Sequence, residues 1–204
     1  MNNNLTSLGY QALTPDYGYY LAKLPQNLFD ELKNSINKIK SSNDNEKKYL
    51  YTLQIQHAYK IPINNQFKDY VKQIAGEYEK CSNVPLTNFN EREFDETWVN
   101  FLGKNEYNPL HKHRGIYSFV VWCKIPYTLE EESKYAKNDN PTIGDFVFYY
   151  PTMRNGSMVI GRKSIGVDSG AEGYMVLFPA SLNHAVYPHY STSEYRISMA
   201  GNIR

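Results

Sequence analysis

His111 and His113 lie one residue apart in NPLHKHRGIYSFVVW (108–122), immediately before an apolar, strand-like run, in a chain of 204 residues that holds five histidines. On extended backbone successive side chains alternate faces, so the two imidazoles project to one side with Lys112 opposite. Two neutral imidazoles on one side can chelate a divalent metal; two wetted surface histidines would leave the same pattern. His184 shifts the balance. In GYMVLFPASLNHAVYPHY (173–190) an apolar strand runs into a short polar turn and then presents His184 at the start of a late strand. If the sheets roll up as a jelly roll, the start of a late strand lies beside the end of an early one, and His184 then faces the pair. Two or three ligands on one face of an ion, with the remaining positions open, is the donor arrangement of non-haem iron sites. His189 reads as a solvated turn histidine, and His57, in TLQIQHAYK, as a structural one.

A second group of residues could serve a small anion. In YRISMAGNI (195–203), Arg196, Ser198 and Ala200 share one face while Tyr195, Ile197 and Met199 take the other. An arginine turned inward needs an anionic partner, because a buried unpaired guanidinium is costly. A dicarboxylate accepting a two-pronged bond satisfies it, with the Ser198 hydroxyl as a further donor; a surface salt bridge is the plainer reading. On the strand before the histidine pair, Trp98 and Asn100 share a face, so Asn100 can bond a carboxylate or line a packed core. Ser118, Val120 and Trp122 also share a face.

These side chains need a rigid frame, and the hydrophobic periodicity supplies one. Leu28, Leu32, Ile36 and Ile39 recur at helical spacing behind Pro25, which predicts an amphipathic helix over 25–40, followed by the polar loop SSNDNEKK. Phe67, Val71, Ile74 and Tyr78 predict a second helix over 65–81. From residue 93 onward short β-type runs alternate with turn residues, at 94–102, 116–125, 145–150, 157–160, 164–167, 173–178, 183–187 and 195–202, the signature of a sandwich, barrel or jelly roll. The interruption at 126–144 reads as one helical turn and a loop over an edge or mouth. The chain is thus expected to form a single domain over 1–204, with an N-terminal helical layer (1–90) bracing a mainly β core (91–204).

Composition excludes several classes. Twenty-two basic against twenty-one acidic residues give a net charge of +1, so no global field draws the chain to nucleic acid or an anionic membrane. The two cysteines, Cys81 and Cys123, lie far apart and read as free thiols of a reducing, cytoplasmic compartment. The start, MNNNLTSLGYQALTPDYGYY, lacks the basic and apolar segments of a signal peptide. No Gly-x-Ser-x-Gly, phosphate-cradling glycine loop or paired-cysteine motif occurs, so no residue is marked as a protein nucleophile.

The motifs NPLHKH, LNHAVYP and YRISMAGNI, with Arg196 twelve residues past His184 and Ser198 two further on, resemble the Fe(II)/2-oxoglutarate-dependent oxygenase superfamily, above all the small oxygenases encoded by marine bacteriophages. The resemblance spans 98–204, and WVNFLGKNEYNPLHKHRGIYSFVVWCKIPY is its most distinctive stretch. It implies a double-stranded β-helix, the cupin-like jelly roll, with His111 and His184 as iron ligands and Arg196 and Ser198 on the distal carboxylate of 2-oxoglutarate. The implied activity is a dioxygenase that consumes 2-oxoglutarate and O2, releases succinate and CO2, and hydroxylates a C–H bond of a primary substrate, in the host cytoplasm if phage-encoded. One departure stands out: His113 occupies the position where the superfamily normally has Asp or Glu. Either His113 completes a three-histidine metal and catalytic set, or water, halide or another side chain fills the vacancy. The overlapping HRG leaves a further option, with His113 ligating and Gly115 as a gap. Two other readings stay open: a three-histidine dioxygenase of cupin type that uses no oxo acid, and a non-catalytic jelly-roll binding or virion-associated module.

Overall fold

The computed structural model describes residues 8–15, 17–41, 55–82, 93–137 and 142–204. In chain order the elements are β1 (Gly9–Ala12), β2 (Gly18–Lys23), α1 (Gln26–Ser41), β3 (His57–Lys60), α2 (Asn65–Cys81), β4 (Phe94–Leu102), β5 (Asn108–His111), β6 (Tyr117–Lys124), α3 (Leu129–Ser133), β7 (Phe146–Arg154), β8 (Ser157–Ile165), β9 (Tyr174–Pro179), β10 (Asn183–Val186) and β11 (Arg196–Ile203). The strands form two antiparallel sheets. The larger runs β1-β2-β9-β6-β11-β4-β3 and the smaller β5-β10-β7-β8. Early and late strands are neighbours in both, which is how a rolled jelly-roll chain brings its ends back together.

Strand alternation sorts the large sheet into two faces. Val99, Phe101, Phe119, Val121, Leu177 and Met199 pack against the helices, joining Leu28, Leu32 and Ile36 of α1 and Phe67, Val71 and Tyr78 of α2 in one core. The opposite face turns Trp122, Val176 and Phe178 toward Phe146, Phe148 and Ile165 in a second core between the sheets. The result is three layers: helices, large sheet, small sheet. Asn64 caps α2 by accepting from the Phe67 amide at 2.8 Å, replacing an intrahelical partner the first turn lacks.

The double-stranded β-helix and its covering helices agree with expectation, and α2 begins and ends at the expected residues. The N-terminal segment does more than brace: β1 and β2 extend the large sheet beyond β9, and β3 extends it beyond β4. The two short strands expected over 157–167 are one nine-residue strand, β8. Gly161 lies within it because it pairs with Tyr150 and a Cβ there would come within 2.5 Å of that ring. The expected interruption at 126–144 carries α3, closed by a Thr128–Glu131 capping box. Both cysteines are free, Cys81 exposed and Cys123 buried. The loop SSNDNEKK beyond Ser41 and the first seven residues lie outside the described residues.

Candidate metal centre

β5 and β10 are neighbours in the small sheet, and their register sets His184 directly opposite His111. His113 follows the end of β5, its backbone N–H donating to the Ala180 carbonyl at 2.8 Å, across the turn that leads into β10. The ligand atoms of the three histidines all lie within 4.8 Å of one another. Ring centroids are 4.2 Å apart for His111 and His184, 5.1 Å for His113 and His184, and 5.0 Å for His111 and His113.

Two of the rings have their tautomer fixed. His111 Nδ1 lies 2.6 Å from the Pro109 carbonyl and His184 Nδ1 lies 2.9 Å from that of Leu182. A carbonyl only accepts, so both Nδ1 atoms carry the proton and both Nε2 atoms keep a lone pair, the state a metal-binding imidazole requires. Asn108 Nδ2 donates to the His111 Nε2 lone pair at 3.3 Å. Burial lowers the proton affinity of all three rings: His184 well below the usual histidine range, His113 to about 4 with His111 adding to the effect, and His111 to a lesser degree, partly offset by its bond to Pro109. All three are therefore neutral near pH 7. Three converging neutral nitrogen donors suit a borderline divalent ion such as Fe(II). Aromatic rings wall the group: Trp98 stands 5.6 Å from His113, while Phe178 and Phe146 lie 4.8 and 5.5 Å from His184, with Phe146 stacked on it.

Arg196, at the start of β11, is 2% exposed. Its Nη1 donates to the Gly144 carbonyl at 2.6 Å and to the Tyr127 hydroxyl at 3.1 Å. Nε and Nη2 make no hydrogen bond among the described residues, which leaves one edge of the guanidinium fork for an anion. Asp145 lies close by. Burial raises its carboxyl, opposed by its bond from the Ser164 hydroxyl and by the charges of Arg196 and Arg162. Ser198 stands opposite Asn100 of β4 on one side and Trp122 of β6 on the other, two residues past Arg196 on the same face. Among the described residues, Asn100 Oδ1 and Trp122 Nε1 are both buried without a hydrogen-bond partner. Polar atoms orphaned in this way are rare in a finished interior, and each needs a partner or a role to explain it.

The structure thus brings the three expected histidines together, and it sets Arg196, Ser198 and Asn100 on the wall of the large sheet that faces the small one. Tyr127 and Gly144 escape a sequence reading because they belong to the 126–144 interruption, where no periodicity assigns a facing. His189 corrects an expectation. Instead of being solvated it is fully buried, stacked on Tyr127 at 5.1 Å, and its Nε2 donates to the Glu194 carbonyl at 3.1 Å. The cause is Glu132 of α3, whose carboxylate accepts the backbone N–H groups of Tyr190 and Ser191 at 2.8 and 2.9 Å and draws that loop inward. His57 is exposed and meets the edge of Tyr195 at 5.8 Å, outside the metal group.

The family model described as "Putative 2OG-Fe(II) oxygenase" matches residues 96–202. No curated protein sequence matches the chain. Solved structures of similar fold include a prolyl-4-hydroxylase of Pseudomonas putida, 15% identical with a TM-score of 0.56 over 92% of each chain. The viral collagen prolyl hydroxylase of Paramecium Bursaria Chlorella virus-1, in its 2OG complex, is 14% identical with a TM-score of 0.50 over 91% of this chain and 95% of that one. AviO1 of Streptomyces viridochromogenes Tue57 is 10% identical with a TM-score of 0.53 over 92% of this chain and 89% of that one. At these identities the likeness carries the fold alone.

Proposed function

Because the chain belongs to the 2OG-Fe(II) oxygenase family, we propose that His111, His113 and His184 are its three iron ligands and that Arg196, with Ser198 and Asn100, holds the co-substrate. The protein is an enzyme that uses Fe(II) and 2-oxoglutarate. When bound, the metal and oxo acid supply oxidative decarboxylation to succinate and CO2, coupled to oxidation of the primary substrate by O2. The chain's own residues do the rest. His111 and His184 would hold the ion through Nε2 and His113 through its unprotonated ring nitrogen, a donor set suited to Fe(II). Arg196 orients the far end of the oxo acid through the guanidinium edge left unbonded by Gly144 and Tyr127. Phe146 and Phe178 bury His184, and Trp98 covers one side of the half-buried His113.

The observation that carries this reading is the convergence of three histidines within 4.8 Å, with a buried arginine whose Nε and Nη2 are unbonded among the described residues on the inter-sheet face of the large sheet. A set of three imidazoles contributes no charge, so the only anionic group beside a bound Fe(II) would come from the near carboxylate of the oxo acid, the far one being paired with Arg196. The reaction we assign is hydroxylation of a C–H bond, carried out by the chain as a single domain in the cytoplasm. No helix among the described residues is long and apolar enough to cross a membrane.

Anaerobic titration with Fe(II) and then 2-oxoglutarate tests the assignment. A visible charge-transfer band that needs both components, together with succinate formation dependent on the oxo acid, is expected. Bound iron without the band favours the three-histidine dioxygenase that uses no oxo acid, a reading supported by the absence of any carboxylate from the histidine group among the described residues.

A further inference from the structure

Among the described residues, Trp122 carries a buried hydrogen-bond donor of the inter-sheet wall that neither the metal group nor Arg196 accounts for. Its indole is fully buried and its Nε1 has no partner among the described residues. On one side the ring meets the edge of Phe146 at 6.3 Å, and Phe146 stacks on His184, so the indole is one ring removed from the metal group. On the other side Trp122 stands directly opposite Ser198, with Arg196 two residues away on the same face of β11. Trp98, which meets His113, stands opposite Ala200, two residues from Ser198 and four from Arg196 on the same face of β11, so the row formed by Asn100, Ser198 and Trp122 lies between the level of the histidines and that of Arg196 along the strand.

The chemistry of the orphan narrows the ligand. An indole N–H donates and never accepts, so its partner must be an acceptor, and a buried N–H left unpaired is costly. The Ser198 hydroxyl opposite does not fill the role. A carboxylate oxygen does, and it gains a neutral donor that adds direction without adding charge beside Arg196. We propose that Trp122 is a further co-substrate-binding residue whose Nε1–H donates to the distal carboxylate of 2-oxoglutarate. This rests on the reading of the Arg196 wall as the oxo-acid site.

The chain has two tryptophans, so protein labelled with nitrogen-15 at the indoles gives two side-chain signals, and Zn(II) replaces iron as a diamagnetic occupant. The signal that disappears in Trp122→Phe should move on addition of 2-oxoglutarate and stay still with 2-oxobutyrate, which keeps the oxo-acid head and lacks the distal carboxylate. By calorimetry Trp122→Phe should weaken 2-oxoglutarate binding about tenfold or more and leave 2-oxobutyrate binding unchanged. If that variant does not fold, Trp98→Phe assigns the signals by elimination and the wild-type spectrum decides. A Trp122 signal that responds equally to both acids, or an unchanged preference between them in Trp122→Phe, overturns the proposal. Metal-loaded wild-type protein that binds no 2-oxoglutarate overturns the function reading itself, and the two failures are thereby distinct.

Discussion

Replacing Arg196 by leucine removes the guanidinium and keeps an apolar stem of similar reach. Both protein bonds of this residue leave from Nη1, to Gly144 and Tyr127, so the open edge formed by Nε and Nη2 is what the oxo acid loses. Each charge-assisted hydrogen bond is worth about 1.5–3 kcal/mol, and two of them about 3–6 kcal/mol. At about 1.4 kcal/mol per factor of ten, 2-oxoglutarate should bind Arg196→Leu roughly a hundredfold to ten-thousandfold more weakly. Iron should stay, since no histidine bonds Arg196. The assay is calorimetric titration of the oxo acid into anaerobic Fe(II)-loaded protein, paired with metal content after gel filtration. The loss of bonds to Gly144 and Tyr127 also lowers stability, so the comparison is made below the variant's unfolding transition. An oxo-acid affinity within threefold of wild type refutes the anchor, and loss of iron alongside it refutes the separation of the two sites.

His184→Ala should lose bound iron and turnover together, and stoichiometric iron in the purified variant would remove His184 from the ligand set. His113→Asp should hold Fe(II) more tightly than wild type in competition with a chelator, because it adds a charge where the chain has none; weaker binding would mean that His113 is not at the ligand position. A divalent ion present at a hundred times its dissociation constant adds about 2.7 kcal/mol of stability, which for a chain this long is about 5–11 °C in Tm; differential scanning should register that rise in wild type and none in His184→Ala. Glu132→Ala strands the amides of Tyr190 and Ser191, at about 1–3 kcal/mol each, so its denaturant midpoint should fall clearly while Glu132→Gln falls less.

Much of the site was legible because it rests on strict strand alternation. His111, the last residue of β5, and His113 lie two residues apart, and the shared facing of Arg196 and Ser198, like that of Trp98 and Asn100, follows from counting by twos. What escaped depends on long-range contacts. β5 contains Pro109 and lasts four residues, so it reads as a connection; it is a strand because it sits at the edge of the small sheet, where a missing N–H is tolerated. β1 and β3, each four residues long, show too little alternation to stand out from the helices around them. His189 looks like a turn histidine because nothing within its own segment announces that Glu132, 57 residues earlier in sequence, will fold its loop inward. Gly161 reads as a strand break for the same reason: its purpose is room for Tyr150, on the paired strand.

The helix-side core ties inheritance and folding together unequally. The family match begins at residue 96, yet the large sheet does not end there: β4 is paired with β3 and β9 with β2, both from the preceding segment. A fragment that started at residue 91 would open two raw sheet edges and bare Phe119, Val121, Leu177 and Met199 to solvent, the combination of unpaired strands and continuous apolar surface that drives chains to aggregate. The portion recognisable as an oxygenase should therefore aggregate when made alone, because the segment that supplies none of the three histidines or Arg196 covers the sheet that carries Arg196.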